Sequence, residues 1–280
     1  MFKDTIGIKM VKLAFVGDVH GKINQMYWAI KNIEEIVGYK IDTVYQVGDF
    51  HAIRNEEDLN RFRVPAVHRA LGDFPEFFKQ DSVPVKTYFL GGNHENYFWL
   101  SQFPLGKEVI QNLFYLGRAG VYLFDKLTIG WVSGTYSPNA FNGNKIKPHH
   151  FTPDDLSKVP SNVDILLLHD WPSMSLLSSG IDMGSVSNLQ TLEEAISRKI
   201  GSKELYDLLV RVKPHHVFCG HLHFPLSLEI KLEDESKVNF VALGEFPYNN
   251  SVAIFDTERK KIDFFNSNFG NEVSIVPVGN

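Results

Sequence analysis

Five short apolar runs in this chain end in the same way, on a small cluster of Asp, Asn or His that usually opens with glycine. VKLAFV (residues 11–16) runs into Gly17-Asp18-Val19-His20-Gly21, and TVYQV (residues 43–47) into Gly48-Asp49-Phe50. KTYFL (residues 86–90) runs into Gly91-Gly92-Asn93-His94-Glu95. ILLL (Ile165–Leu168) runs into His169-Asp170, and HVFC into Gly220-His221-Leu222-His223. Runs this short and apolar read as buried strands. In open α/β sheets a ligand sits outside the carboxyl ends of the strands, and glycine there lets the backbone turn sharply and approach it closely. Taken singly, each cluster has a plainer reading. Asp18 and Asp49 read as helix caps or turn residues, Asn93 as a turn residue, and His169 as a hydrogen-bonded, half-buried imidazole. Five such clusters at equivalent strand ends point to one shared site.

Between these strands the pattern is helical. Ile23, Met26, Tyr27, Ile30 and Ile33 recur at helical spacing through Ile23–Val37, residues 55–63 have helical character, and residues 73–78 form another helix. Strands separated by helices imply a parallel sheet with helices packed on it. After Asn112 the pattern changes. Residues 114–116, 121–124 and Leu127–Val132 are short apolar runs between turn residues, which predicts an antiparallel meander. A helix over residues 202–213 precedes the strand ending at Phe218. Residues 226–232, 238–243, 251–256 and 261–265 read as further strands. No repeat, low-complexity tract or long linker divides the 280 residues. The expectation is one domain, residues 1–280, of the α/β class, with two stacked mixed β-sheets flanked by helices.

Composition narrows what such a site serves. The single cysteine, Cys219, excludes an intramolecular disulfide and a thiolate zinc cluster and fits a reducing compartment. There is no apolar run of membrane-spanning length, and Met1-Phe2-Lys3-Asp4-Thr5 lacks the apolar stretch of a signal peptide. The expected address is the cytoplasm, without membrane contact. A net charge of −5 and no evident basic stripe argue against tight non-specific binding of long nucleic acid. They do not argue against a small phosphate ester, because divalent ions reverse the local sign in a carboxylate-lined pocket.

The residue types fit metal ligation. Asp carboxylates and neutral imidazoles suit manganese, iron or zinc. Asp18 and His20 stand two apart on an extended stretch and so point to one face, and His221 and His223 repeat that spacing. A carboxylate has two oxygens and can bridge two ions. Two ions about 3.5–4 Å apart activate a water and neutralise a phosphoryl group.

GDVHG, GDF, GGNHE, the His169 that follows ILLL, and GHLH resemble, in order and from Gly17 to His223, the five blocks of the calcineurin-like metallophosphoesterases. The resemblance implies the two-sheet sandwich and two divalent metal ions, manganese, iron or zinc. It implies that Asp18, His20 and His223 hold one ion and Asn93, His169 and His221 the other, with Asp49 bridging. His94 would not be a ligand; it would protonate the leaving oxygen or stabilise phosphoryl charge. Attack by a metal-bound hydroxide would be in line, without a covalent enzyme intermediate.

Residues 48–59 (GDFHAIRNEEDL), with Tyr115-Leu116-Gly117-Arg118-Ala119-Gly120-Val121, Ser133-Gly134 and His169-Asp170-Trp171-Pro172, resemble the catalytic domain of the RNA lariat debranching enzymes, which hydrolyse the 2′–5′ phosphodiester at an intron branch. That resemblance implies Arg54 and Asn55 as contacts to substrate phosphate or sugar; the alternative is a capped helix start with a surface Arg. Debranching enzymes commonly carry Cys where Asp18 stands, a longer insert than residues 137–163, and a further C-terminal domain. The expectation is a stand-alone relative with a phosphoester substrate, a nucleotide or RNA, and no obligate protein partner. A phosphodiesterase leads. The alternatives are a phosphomonoesterase or protein phosphatase with the same metals, and a non-catalytic scaffold on this fold.

Other features have plain readings. His149-His150 reads as a solvated loop pair that approaches substrate only in the sharper reading. Cys219 reads as a small strand-end residue, residues 245–250 as a turn or a cleft rim, and Lys145, Lys147 and Lys158 as solubilising loop lysines.

Overall fold

In the computed structural model the described residues are 11–61, 64, 66–248, 250–267 and 273–276. The expectations for residues 1–5, for the last two residues of the helix at 55–63, and for Asn249 within residues 245–250 lie outside them.

The run at 11–16 becomes β1 (Lys12–Val16), buried along its whole length. Its side chains alternate between two apolar layers, as the period of two requires. Ala14 and Val16 face one layer, Leu13 and Phe15 the other. β1 pairs in parallel with β2 (Thr43–Gln46), β2 with β3 (Ser82–Phe89), and β3 with β4 (Lys107–Tyr115). Helices α1 (Ile23–Val37), α2 (Glu56–Arg61), α3 (Phe74–Gln80) and the short α4 (Tyr97–Leu100) fill the crossovers. Helix α1 spans the predicted residues and stops where Gly38, in the left-handed conformation at φ 75°, donates its N–H to the Glu34 carbonyl.

One expectation fails here. Residues 114–116 do not open an antiparallel meander; they end β4, which runs parallel to β3 with Tyr88 opposite Phe114. The polar Gln111-Asn112 pair that reads as a break sits inside the strand. The register shifts there, and Asn112 takes φ 67°. The extra residues lie on β3, and β4, at the sheet edge, tolerates polar residues that a central strand does not.

The antiparallel pair begins one strand later, with β5 (Ala119–Phe124) and β6 (Leu127–Val132). Past the short helices α5 (Pro138–Phe141) and α6 (Pro153–Ser157), β6 pairs in parallel with β7 (Ile165–Leu168). Then come α7 (Met174–Leu177), β8 (Ile181–Asp182), α8 (Leu189–Ser197) and α9 (Lys203–Val212), followed by β9 (His216–Cys219). Helix α9 is capped by the Ser202 side chain and closed by Lys213, matching the predicted 202–213 span cap to cap. The chain finishes with β10 (Leu226–Lys231), β11 (Lys237–Ala242), β12 (Val252–Asp256), β13 (Lys261–Ser267) and β14 (Val273–Val276).

Among the described residues these strands make two seven-stranded mixed sheets, ordered β14-β13-β12-β1-β2-β3-β4 and β5-β6-β7-β9-β11-β10-β8. Leu13, Phe15 and Tyr45 meet Ile165, Leu167 and Phe218 in the layer between them, where the Phe15 and Phe218 rings stack at 3.7 Å between centroids. Helices α1 and α3 cover the outer face of the first sheet, and α8 and α9 that of the second. The result is the expected α/β/β/α layering, with β1, β2 and β3 facing β7 and β9 across the core.

Candidate metal centre

The loops after these five strands are cross-tied by backbone bonds before any side chain is considered. The His20 N–H donates to the Asp49 carbonyl at 2.8 Å and the Gly21 N–H to the Phe50 carbonyl at 3.2 Å. The Gln46 side-chain amide joins the first two loops through Gly17 and Gly48. The Glu95 carboxyl, 4% exposed, accepts from the N–H groups of Phe50, His51 and Ala52 and so joins the second loop to the third. Glycine makes the closeness possible at Gly220, where a Cβ would fall under 3.0 Å from Asp18 Oδ1.

Within this frame the predicted residues meet. Asp18 Oδ2 lies 3.1 Å from His223 Nε2 and 3.9 Å from His20 Nε2, and the two imidazole nitrogens are 3.1 Å apart. On the other side, His169 Nε2 lies 3.2 Å from Asn93 Oδ1 and 3.6 Å from Asp49 Oδ1, and its ring centroid is 5.0 Å from that of His221. Asp18, Asp49 and His169 offer ligand atoms within 4.8 Å of one another, which joins the two halves. The His94 N–H donates to Asp49 Oδ1 at 2.6 Å, and its ring nitrogen Nδ1 stands 3.6 Å from Asp49 Oδ2. The His221 N–H donates to Asp18 Oδ1 at 2.9 Å.

The electrostatics are those of a site built for cations. Asp18 and Asp49 are buried, and a buried carboxylate without a positive partner is costly. Burial alone would raise the Asp18 carboxyl. The His223 hydrogen bond, with the imidazoles gathered around the carboxylate, outweighs it and holds the group well below the usual range. Burial and the Asp18 charge push Asp49 up. Burial drives His20 down to about 2, His94 to about 4 and His221 down as well, whereas at His223 burial is outweighed by the Asp18 hydrogen bond and charge, which raise it. Neutral imidazole is the form that ligates metal. His169 Nδ1 is 2.9 Å from the Val47 carbonyl. Donation there fixes the tautomer and leaves Nε2 for a ligand.

Residues that no motif flagged complete the centre. His51 Nε2 lies 3.1 Å from His20 Nδ1, and the His68 ring stacks on His20 at 4.3 Å and stands 4.7 Å from His94. His20, His68 and His94 form a further group with ligand atoms within 4.8 Å. His51 directly follows the second block and was legible by adjacency; His68 had no sequence signal. Glu245, in the stretch read as a turn or rim, places Oε2 3.3 Å from His223 Nδ1, an orienting carboxylate for that ring.

Arg54 and Asn55, expected to touch substrate, are engaged at the start of α2. The Arg54 guanidinium makes two hydrogen bonds to the Asp58 carboxylate, 2.7 and 2.8 Å, and lies 4.6 Å over the Trp99 ring. Asn55 Oδ1 accepts the Asp58 N–H at 3.0 Å. His149 and His150 are not a loose pair. Arg118 donates to the Pro148 and His150 carbonyls and to Asp155, pinning their segment to the core. Lys158 pairs with Asp154 and Asp155. Cys219 is a buried strand-end residue whose thiol burial pushes up. No helix among the described residues is long and apolar enough to cross a membrane.

Known proteins match this chain over the same region. Residues 11–225 match the calcineurin-like phosphoesterase family, whose members use divalent metals. Lariat debranching enzymes of Arabidopsis thaliana and Drosophila melanogaster are 31% and 32% identical over 268 and 273 residues, each match covering 89% of this chain. That of Caenorhabditis briggsae is 33% identical over 78% of it. The matches span 63%, 46% and 47% of those proteins' own lengths, so the chain corresponds to roughly half to two thirds of each. With the five blocks converging between two sheets and the match running through all of them, the chain belongs to the calcineurin-like phosphoesterase family.

Proposed function

We propose that this chain is a single-domain, metal-dependent phosphodiesterase acting on a nucleotide or RNA phosphodiester. The observation that carries the proposal is the convergence of Asp18, His20 and His223 on one side and Asn93, His169 and His221 on the other, with Asp49 between them. The donor set fits two divalent ions, manganese, iron or zinc: two buried carboxylates, an amide oxygen and four imidazoles, of which burial holds His20 and His221 towards the neutral form. Asp18, His20 and His223 would hold one ion and Asn93, His169 and His221 the other, with Asp49 shared. When bound, such ions supply Lewis-acid stabilisation of the phosphoryl group and a more acidic water.

The chain's own residues do the rest. Asp49 is fixed by the His94 N–H, so that backbone bond sets the distance between the two halves. The His94 ring stands over the pair and donates its N–H to the phosphoryl or leaving oxygen. A neighbouring anionic phosphoryl group would raise its pKa from about 4 and so populate the protonated form that has a proton to give. Glu245 and the Val47 carbonyl hold the rings of His223 and His169 in orientation. The debranching relatives support a phosphodiester substrate. The deciding experiment is Asp49→Ala, assayed with manganese on bis-para-nitrophenyl phosphate and on para-nitrophenyl phosphate. Turnover is expected to vanish while the protein stays folded, and the wild type is expected to prefer the diester. Undiminished Asp49→Ala activity would remove the shared-ligand assignment, and a strong monoester preference would replace the diesterase reading with a phosphomonoesterase.

A further inference from the structure

A cleft of about 370 Å³ opens beside Asn93, between the end of α2 with the start of α4 and the segment at 147–149. Its volume lies within the range of small-molecule sites, and its walls carry Arg61, Asn96, Phe98, Lys147 and His149. The short helix α4 buries Tyr97, Trp99 and Leu100 but leaves Phe98 57% exposed. The Arg61 guanidinium covers one face of that ring at 4.0 Å, itself held by Glu57 at 2.7 Å. The opposite wall is stiff, because Arg118 clamps its carbonyls and the Thr135 N–H donates to the His149 carbonyl at 2.9 Å. Near the floor the Tyr97 hydroxyl donates to the Gly92 carbonyl at 2.8 Å, tying α4 to the loop that bears Asn93. On a chain of net charge −5, two cations and an outward aromatic ring are thus gathered next to the predicted metal ligands.

We propose that this cleft is the subsite for the nucleoside attached to the scissile phosphate, its base stacking on the Phe98–Arg61 pair and its sugar–phosphate facing Lys147 and Asn96. The inference rests on the phosphodiesterase reading and adds to it where a nucleotide's base goes. Aromatic rings and Arg planes accept any base face, so such a subsite favours nucleosides over plain alkyl groups without selecting one base. A neighbouring positive charge attracts the strand's phosphates.

The test compares the para-nitrophenyl ester of adenosine 5′-monophosphate with methyl para-nitrophenyl phosphate, both with added manganese. Direct binding of adenosine 5′-monophosphate is measured alongside, for wild type, Phe98→Ala and Lys147→Ala. Phe98 is exposed, and melting curves check that its variant folds. The expected result is a fall of about tenfold or more in the kcat/KM ratio between the nucleoside and methyl esters in Phe98→Ala, with a matching loss of nucleotide affinity. Lys147→Ala should move both quantities in the same direction. An unchanged ratio, or equal nucleotide affinities in wild type and Phe98→Ala, overturns the subsite. A wild type that hydrolyses neither ester refutes the phosphodiesterase reading instead, and the binding comparison then decides the subsite by itself.

Discussion

Replacing Gly220 by Ala tests the geometry of the centre without touching a ligand. The φ of Gly220 is not in the left-handed region, so alanine meets no conformational penalty there and the effect comes from space alone. The added methyl would fall under 3.0 Å from Asp18 Oδ1 and 3.2 Å from Val47 Cγ2. Restoring ordinary contact moves the carboxylate on the order of 1 Å. That motion strains the 2.9 Å bond from the His221 N–H and the 3.1 Å contact with His223 Nε2. Overpacking and a weakened charge-assisted bond together cost about 3 kcal/mol, which lowers Tm on the order of 5–10 °C in a chain of this size. Displacement of a ligand by that distance should weaken metal binding about 10- to 100-fold and cost turnover on the order of 100-fold. Gly184→Ala is the control. Its methyl would meet only Asp182 Oδ1, at 3.4 Å, and should change stability by no more than about 0.5 kcal/mol. The assay is metal titration followed by initial rates on bis-para-nitrophenyl phosphate, with melting curves for both variants. A Gly220→Ala protein that binds manganese and turns over like the wild type would refute the claim that Asp18 ligates from this position.

Three further outcomes follow from the same structure. His94→Ala should keep its metal content and lose rate by a factor on the order of 100 or more; metal loss measured by elemental analysis would make His94 a ligand instead. Arg118→Met should destabilise by about 2 kcal/mol in urea unfolding, because it removes the guanidinium from the buried Asp155 carboxylate, which keeps Thr152 and Lys158, and releases two backbone carbonyls; a cost below about 0.5 kcal/mol would mean that the clamp is not structural. The third concerns His216, which is 6% exposed and away from the centre, with its ring nitrogen Nδ1 among the buried atoms that find no hydrogen-bond partner. Burial, with the charges of His215 and Lys260, pushes it down to about 4, below its unfolded value of about 6.5. The unfolded chain therefore takes up that proton first. The stability His216 contributes is fully present above about pH 6.5 and is lost as pH falls towards 4, up to about 3 kcal/mol. His216→Leu should flatten the unfolding free energy between pH 7 and 4.5 by about that amount, and an unchanged slope would exclude the assignment.

What the sequence showed was what repeats with a short period or at a strand end. The apolar runs and the helix at Ile23–Val37 were legible because burial on both faces, or on one stripe, writes itself into the spacing of apolar residues. The eight clustered polar residues were legible because strand ends bring them together whatever else the chain does. β4 escapes the pattern because an edge strand carries polar residues in its middle, and only its pairing with the bulged β3 reveals it as a strand. His68 stayed hidden because nothing local distinguishes a histidine that stacks on His20 from one in solvent. For Arg54 both readings stay open in the sequence; its partners Asp58, in α2, and Trp99, in α4, fit the capped helix start.

The glycines at these strand ends are there for more than one reason. Gly48 takes φ 107°, a conformation reserved for glycine, but Gly220 stands where it does because Asp18 must come close. The left-handed turns fall instead on the functional residues. His20, Asp49, His51, His221 and His223 adopt φ of 47°, 57°, 64°, 71° and 59°. Each such residue costs of order 1 kcal/mol and persists only where its surroundings over-determine it. The surroundings here are the bonds from His20 to Asp49 and from Gly21 to Phe50, the three N–H groups on Glu95, and the His221 N–H on Asp18. The strain is therefore offset by the chain's own bonds, which hold these side chains in fixed orientation. A site arranged in this way spends folding free energy on fixed geometry, the arrangement that the proposed phosphodiester hydrolysis calls for.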